Sequence, residues 1–520
     1  MGEFNSEDWL RKTVEKILEA GYQVEAEAFN FLKSTSKLVD VEDFTQGILK
    51  KLAETSPPSI FVDKKIVEEV FNQLRSKNKV DTSKQESLEK IGELEVGKGV
   101  FRPYAKEVEA KIEVLKDPSK YIASDGTMES FSRYFRDRFK RLLKILGERL
   151  DVKGYTGIGS VLKERNGARV KIVGMVSEKI SRGRRIIFRV EDLESSITVL
   201  VQSTKPDLIE KAREVLLDQI VCITGFKSTN NLVVAEEIIM PDIPQHKSNH
   251  AEEDVNVVLT SDFHVGSKVF EEKLVKLFLK WLKGEIGNEK ERGIAGKVKY
   301  IIVAGDLVDG VGLYPQQENE LEIKDVYKQY EVAAKIFEQV PDYIKVIIIP
   351  GNHDATRKTL PQPAIPKKFA EPIYHIPNLI LLGNPAQVKL HGVNILIHHG
   401  RSLEDVLASL PNVNHQNVTI AMAHLLKVRH LAPIYGQKTP LAPEPKDWMV
   451  IESVPDIYHT GHIHVFNHTM YKGVRLINSG CWQRQTSYQK KMGINPVFGV
   501  VPIVNLQKMS LTIMDFTKIF

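Results

Sequence analysis

The sequence predicts a multidomain chain in which a large α/β sandwich follows a five-stranded β-barrel and a small N-terminal helical domain. At 520 residues, 42% of them hydrophobic, the chain is too long for one core and apolar enough for several. Between about 161 and 243, short β-branched runs succeed one another with a single helical interruption, as in a small barrel. From 255 onward, apolar runs such as 255–260, 300–304 and 343–349 each end in a turn bearing Asp or His. The first turn leads into a helical stripe of Phe270, Leu274, Leu277, Phe278, Trp281 and Leu282, so the unit is strand, loop, helix.

Residues 1–75 read as a helical accessory domain. Leu10, Val14, Ile17 and Leu18 form one apolar stripe, and Ile66, Val70, Phe71 and Leu74 form another after the Pro57-Pro58 break. Residues 76–154 read as a linker and a basic helical segment. Positions 76–85 are polar and aperiodic, as a tether is. Further on, Met128, Phe131, Phe135, Phe139, Leu142 and Leu146 recur at helical spacing, with Arg133, Arg136, Arg138, Lys140, Arg141 and Lys144 among them. Such a basic face is ordinarily solvated, with DNA contact as the sharper alternative.

Residues 155–245 carry strands over 168–176, 185–190 and 196–201, a helix over 207–216, and strands over 219–225 and 232–238. Three strands, a helix and two strands is the order of an OB-fold β-barrel. The turn after Ser181 offers Arg182, Arg184 and Arg185 to nucleic acid, but Phe188 and Phe226 are the only aromatics over 161–243, few for base stacking. Nucleic-acid binding and a protein–protein joint both remain open for this domain.

Lys+Arg total 72 against 67 Asp+Glu, a formal charge of +5, so any polyanion must be drawn by local patches rather than by the whole-chain field. Cys222 and Cys481 stand far apart and in no CxxC pair, which argues against a disulfide framework or structural zinc. No apolar run approaches the ~20 residues of a membrane span, and the polar, acidic start is unlike a secretory signal. A cytoplasmic location without a membrane partner is expected.

Residues 246–520 hold the chemistry. Five clusters of metal-binding side chains recur: Asp262-Phe263-His264, Gly305-Asp306-Leu307-Val308-Asp309, Gly351-Asn352-His353-Asp354, His398-His399-Gly400 and Gly461-His462-Ile463-His464. A lone Asp-x-His is ordinarily a hydrogen-bonded loop. Five clusters, mostly at strand ends, point to a metal shell, and mixed carboxylate and imidazole donors suit manganese, iron or zinc better than magnesium or calcium.

These motifs resemble the calcineurin-like metallophosphoesterase superfamily. The resemblance implies two divalent metal ions, manganese foremost and iron or zinc also fitting. The first would be held by Asp262, His264 and His464, the second by Asn352, His399 and His462, with Asp306 bridging. His398 competes with His399 for its place. The resemblance also makes His353 the catalytic histidine, oriented by Asp309, while Arg401 beside the ligand loop could hold a phosphate.

With the barrel ahead of it, and with His399-Gly400-Arg401-Ser402, the stretch from His430 to Gly436 and Asn478-Ser479-Gly480-Cys481-Trp482-Gln483, the chain is similar to the small subunits of archaeal family-D DNA polymerases. That similarity implies a metal-dependent 3′→5′ exonuclease proofreading for a large catalytic DNA polymerase subunit. Its DNA would be single-stranded 3′ ends and mismatched primers. One alternative is a non-catalytic scaffold, like the eukaryotic B-subunits whose ligand set is broken; here every matched position holds a competent residue. Another is a recombination-repair nuclease of the same superfamily, which would call for an ATPase partner and a C-terminal cap.

Overall fold

The computed structural model describes residues 6–20, 22–35, 41–53, 61–77, 101–183, 185–202, 205–229, 231–491 and 493–518. They divide into two units, Met1–Lys98 and Gly99–Phe520. In the first, the helices Ser6–Glu19, Ala26–Thr35, Val41–Ala53 and Lys64–Lys77 enclose Ile17, Leu32, Phe44, Ile48, Val67 and Phe71. Two short strands, β1 (Gln23–Val24) and β2 (Phe61–Val62), pair in parallel beside them. Leu18 departs from the expected stripe and is 52% exposed. At 3.6 residues per turn it sits about 80° round the helix from Leu10, whereas Ile17 sits about 20° away. Pro57-Pro58, most of the tether and the side chain of Leu74 lie outside the described residues.

In the second unit, residues 101–154 are more than a linker. Ile112–Lys116 forms β3, the edge strand of a sheet in the sandwich. Thr127 caps the helix Met128–Gly147 by accepting from the Ser130 amide, and the helix buries Phe139, Leu142 and Leu146. Two members of the sequence pattern are reversed. Met128, at the exposed first position of the helix, is 81% accessible, and Arg138, read as part of a solvated basic face, is 0% accessible. Arg138 follows Tyr134 by four residues and precedes Leu142 by four, so helical geometry carries it inward. There its guanidinium meets the Asp447 carboxylate at 2.8 Å, the Pro433 carbonyl and the Tyr134 hydroxyl.

The strands β4 (Arg169–Arg182), β5 (Arg185–Glu191), β6 (Ser196–Val201), β7 (Ile220–Ser228) and β8 (Leu232–Ile239) close in the order β4-β5-β6-β8-β7, with the helix Pro206–Glu214 between β6 and β7. This is an OB-like barrel. Inward residues alternate at the period of a strand, as in Ile186, Phe188, Val190 and Ile197, Val199, Val201. Long β4 closes the ring by pairing with β5 along its second half and with β7 along its first. Phe188 is sealed in the core and Phe226 is 42% exposed, so a single aromatic of the expected pair is left for stacking. Arg184 lies outside the described residues.

Eleven further strands, together with β3, build two six-stranded sheets. They are β9 (Asn256–Thr260), β10 (Val298–Ala304), β11 (Lys345–Ile349), β12 (Leu379–Leu381), β13 (Ala386–Leu390), β14 (Val393–Ile397), β15 (Ile457–Thr460), β16 (Asn467–Tyr471), β17 (Val474–Asn478), β18 (Val500–Asn505) and β19 (Leu511–Asp515). One sheet runs β12-β11-β10-β9-β18-β19 and the other β16-β17-β15-β14-β13-β3. Val257, Leu259, Ile302 and Ile347 of the first meet Val388, Ile395, Ile397 and Ile457 of the second. Opposite faces are covered by helices, Phe278 and Tyr330 against the first sheet and Leu425 against the second. The order helix layer, sheet, sheet, helix layer buries β9, β10 and β14 on both faces, which is why they read as unbroken apolar runs. No helix among the described residues is long and apolar enough to cross a membrane.

Candidate metal centre

Parallel neighbours β9, β10 and β11 deliver Asp262 and His264, Asp306 and Asp309, and Asn352 and His353 from their carboxyl ends. Parallel β14 and β15 deliver His399, and His462 with His464, from theirs. The five loops therefore converge where the two sheets end together. Five of these residues hold left-handed backbones: Asp262 at φ 54°, His264 at 52°, Asp306 at 52°, His462 at 70° and His464 at 59°. Such conformations cost roughly 1–3 kcal/mol each and persist where the surroundings over-determine them. Two glycines are steric requirements: a Cβ on Gly351 would overlap the Asp306 carboxylate, and one on Gly461 would overlap Ser261 and Asp262.

Two largely buried clusters result, and His353 also lies within ligand distance of His264 and Asp306. In the first, the Oδ1 of Asp262 lies 3.3 Å from Nε2 of His464 and 3.8 Å from Nε2 of His264, and the two imidazole nitrogens are 3.1 Å apart. In the second, Nε2 of His399 lies 3.3 Å from Oδ2 of Asp306 and 2.9 Å from Oδ1 of Asn352, and His462 completes the group. Asp306 belongs to both, since its Oδ2 is also 3.8 Å from Nε2 of His264.

The donor atoms fit cations. Oδ2 of Asp262 accepts from Ser261 and from the His462 amide, but its buried Oδ1 has no hydrogen-bond partner, an expensive arrangement for a carboxylate oxygen without a cation. The imidazoles are tied at their remote nitrogens. His399 donates through Nδ1 to the Ala304 carbonyl at 2.8 Å and His264 through Nδ1 to Asp309 Oδ1 at 2.9 Å, while Nδ1 of His464 meets the Gln489 amide at 2.9 Å. This leaves Nε2 of His399 and His264 for the cluster, the usual way a protein orients imidazole ligands. Burial opposes charge on His399, but the Asp306 carboxylate outweighs it and raises its pKa to about 9. His264 is likewise opposed by burial and raised well above the ordinary value by Asp262 and Asp309. Metal binding at these groups would release protons.

His399 and not His398 enters the centre. His398 is consumed by Asn384 at Nδ1 and Ser402 at Nε2, and burial, with the charge of His399, pushes its pKa down to about 3. Asp309 differs from the expected geometry. Its carboxylate serves His264, and His353 is held instead by the Asp309 backbone, whose carbonyl accepts from Nδ1 at 2.8 Å; the carboxylate is 3.9 Å away. Burial lowers the pKa of His353, partly offset by Asp306. Arg401 donates to the carbonyls of Lys358 and Lys438 at 3.2 and 3.3 Å, a frame that fixes it beside the centre but engages the groups expected for phosphate. Arg182 and Arg185 lie in the barrel hairpin, outside the two clusters.

Two acidic residues carry roles that the sequence reading did not assign. Asp354, fully buried, accepts from the amides of Gly351, Leu307 and Val308 and from the Tyr330 hydroxyl, which locks two ligand loops together. Glu404, in the first turn of the helix Leu403–Ser409, accepts from Nε2 of His462 at 3.1 Å and leaves Nδ1 free for the second cluster. That bond, working against burial, pulls the Glu404 pKa down to about 2. Glu404→Gln is expected to lower metal affinity or metal-dependent activity roughly 10–100-fold. Calorimetric titration with manganese measures it.

Twin ligand clusters sharing one carboxylate, at the strand ends of an α/β sandwich behind an OB-like barrel, define a multidomain protein with a candidate two-cation centre. The chain belongs to the DNA polymerase II small-subunit family of the archaea. It is 36% identical over 492 residues to the DNA polymerase II small subunit of Archaeoglobus fulgidus, covering 94% of each chain. It is 42% identical over 401 residues to that of Methanothermobacter thermautotrophicus, covering 77% of this chain and 82% of the relative. Against the Pyrococcus furiosus small subunit, identity is 41% over 393 residues, covering 75% of this chain and 64% of that one. The family of DNA polymerase alpha/epsilon B-subunits matches residues 257–467, a span that includes all five ligand loops.

Proposed function

We propose that this chain is the metal-dependent 3′→5′ exonuclease subunit of a heteromeric replicative DNA polymerase, working beside a large catalytic subunit on single-stranded 3′ ends and mismatched primers. The observation that carries the proposal is that Oδ2 of Asp306 faces His399 of one cluster at 3.3 Å and His264 of the other at 3.8 Å, alongside the unpartnered Oδ1 of Asp262. Asp262, His264, Asp306 and His464 would hold one divalent cation, and Asp306, Asn352, His399 and His462 the other; manganese is first choice, with iron or zinc compatible. Bound there, the pair would supply the Lewis acidity that activates water and offsets negative charge on the scissile phosphate.

The chain's own residues do the remainder. With Nδ1 fixed on the Asp309 carbonyl, His353 presents Nε2 as its exchangeable nitrogen. Protonated there, it would donate to the 3′ oxygen as the P–O bond breaks. The backbone amide of His353 donates to Oδ1 of Asp306 at 2.7 Å, so acid and shared carboxylate move as one unit.

The test is a nuclease assay of the purified chain on 3′- and 5′-labelled single strands and mismatched primers, with manganese, magnesium or chelator. Stepwise loss of the 3′ nucleotide, abolished by chelator, is expected. The match to a family named for polymerase B-subunits favours a non-catalytic scaffold as the second reading. That reading wins if no metal ion elicits nucleotide release while the chain still co-purifies with a large subunit. Internal or 5′ cleavage would point instead to a repair-type nuclease.

A further inference from the structure

Away from the metal centre, an open groove of 1060 Å³ runs between the β3 segment and the chain around Trp448. A second depression of 690 Å³ lies along the helix Met128–Gly147, and Pro445 lines both. At the groove, Tyr121 stacks on Trp448 with ring centroids 5.4 Å apart and planes 26° apart. Trp448 is nearly buried, Tyr121 is 62% exposed, and Lys446 lies over the indole at 4.9 Å. The result is an aromatic platform with one open face, bordered by cations.

Along the helix, Arg133, Arg136, Lys140 and Lys144 are all exposed, at the i, i+3, i+7, i+11 spacing of one face. Among the described residues, none of these four has an ion-pair or side-chain hydrogen-bond partner, and neither has Lys120 at the groove. The neighbouring carboxylates, by contrast, are engaged. Asp117 accepts from Ser119 and the Gly383 amide, Asp137 from Arg141 and the Asp447 amide, and Glu452 takes Arg141 at 2.8 Å and Lys446 at 3.8 Å. Glu129, at the start of the helix, and exposed Glu148, four residues beyond Lys144, are the remaining acidic groups along it. The surface therefore carries net positive charge in a line of about 16 Å from Arg133 to Lys144, leading to a stacking face.

We propose that this track binds single-stranded nucleic acid, with the phosphodiester backbone along Arg133, Arg136, Lys140 and Lys144 and a base on Tyr121. A linear row of cations beside an aromatic platform is the chemistry of sequence-tolerant strand binding. An acidic peptide would use the cations and leave the ring idle. The site stands apart from the proposed hydrolysis and does not depend on it.

The experiment measures binding of the full-length chain to a fluorescent oligothymidylate of about 16 nucleotides by anisotropy. It is done in chelator, so the metal centre takes no part, between about 50 and 200 mM salt. Tyr121→Ala is expected to weaken binding about 5- to 100-fold. The combined R133A, R136A, K140A and K144A variant is expected to flatten the log–log salt slope by about 3, and the corresponding arginine-to-lysine variant to restore it. Thermal unfolding of each exposed-residue variant checks that the fold is kept. Wild-type affinity and slope in both variants would overturn the proposal. So would competition by polyglutamate as effective as that by unlabelled oligothymidylate, which would reassign the track to an acidic protein segment.

Discussion

Asp306→Asn is expected to lower metal-dependent release of 3′ nucleotides by at least 10²–10³-fold, on the order of what removing one preorganised electrostatic group costs an enzyme. The substitution keeps the shape and removes the charge that both clusters share. In the parent, Oδ2 of Asp306 faces His399 at 3.3 Å and His264 at 3.8 Å, and Oδ1 holds the His353 amide at 2.7 Å. An Asn amide can keep the last of these but cannot balance cations on two sides. Manganese titration is expected to show the loss of at least one tight site. The protons released per cation should change as well, because His399, opposed by burial and supported chiefly by Asp306 at about 9, loses the group that keeps it charged. Unfolding temperature in chelator should stay close to the parent's, since the variant also removes a buried charge. Unchanged 3′ release in a folded Asp306→Asn chain would refute the ligand assignment.

The sandwich and its ligand loops were legible because burial on both faces leaves little choice of residue. β9, β10 and β14 must be apolar throughout, so the Asp and His that follow stand out as strand-end residues. The barrel was legible through its strand and helix order, down to the β6 boundaries. Other features left no such trace. β3 is a five-residue edge strand with three exposed positions, so its Ile-Glu-Val-Leu-Lys carries neither a buried run nor a clean alternation. Glu404 meets His462 across 58 positions, a distance at which no spacing rule operates. For Asp309 the strand-end motif placed the residue beside the ligand loops, but the division of labour between its carboxylate and its carbonyl depends on rotamers, which sequence does not encode. Arg138 fell within the apolar periodicity of its helix; residue type, which favours exposure for arginine, hid what position disclosed.

Arg138 is where the largest stability effect is expected. Arg138→Met should cost about 3–5 kcal/mol at neutral pH, because removing one partner leaves the buried Asp447 carboxylate uncompensated. That carboxylate now accepts from Arg138 and His430, each at 2.8 Å, and from the Met449 amide at 2.9 Å. Burial works against its charge, but His430 and Arg138 hold its pKa well below the usual carboxylate range. Burial first, and then the Arg138 charge, push His430 down to about 4. In the parent, the unfolded chain therefore binds more protons than the native one between the ordinary histidine value and about 4, so stability from this pair falls as pH drops through that window. In Arg138→Met the Arg138 repulsion is gone and the Asp447 carboxylate favours imidazolium, which raises His430 against the burial, the Lys116 charge and the Ala432 amide at Nδ1 that remain. A raised histidine contributes stability below its unfolded pKa and loses it as pH rises through the folded one. The penalty of Arg138→Met is accordingly expected to be greatest near pH 8 and to shrink by pH 5, where protonated His430 takes over as the counter-ion of Asp447. Denaturant unfolding of parent and variant at the two pH values measures this. A penalty that is constant or grows on acidification would show that His430 does not substitute for the guanidinium.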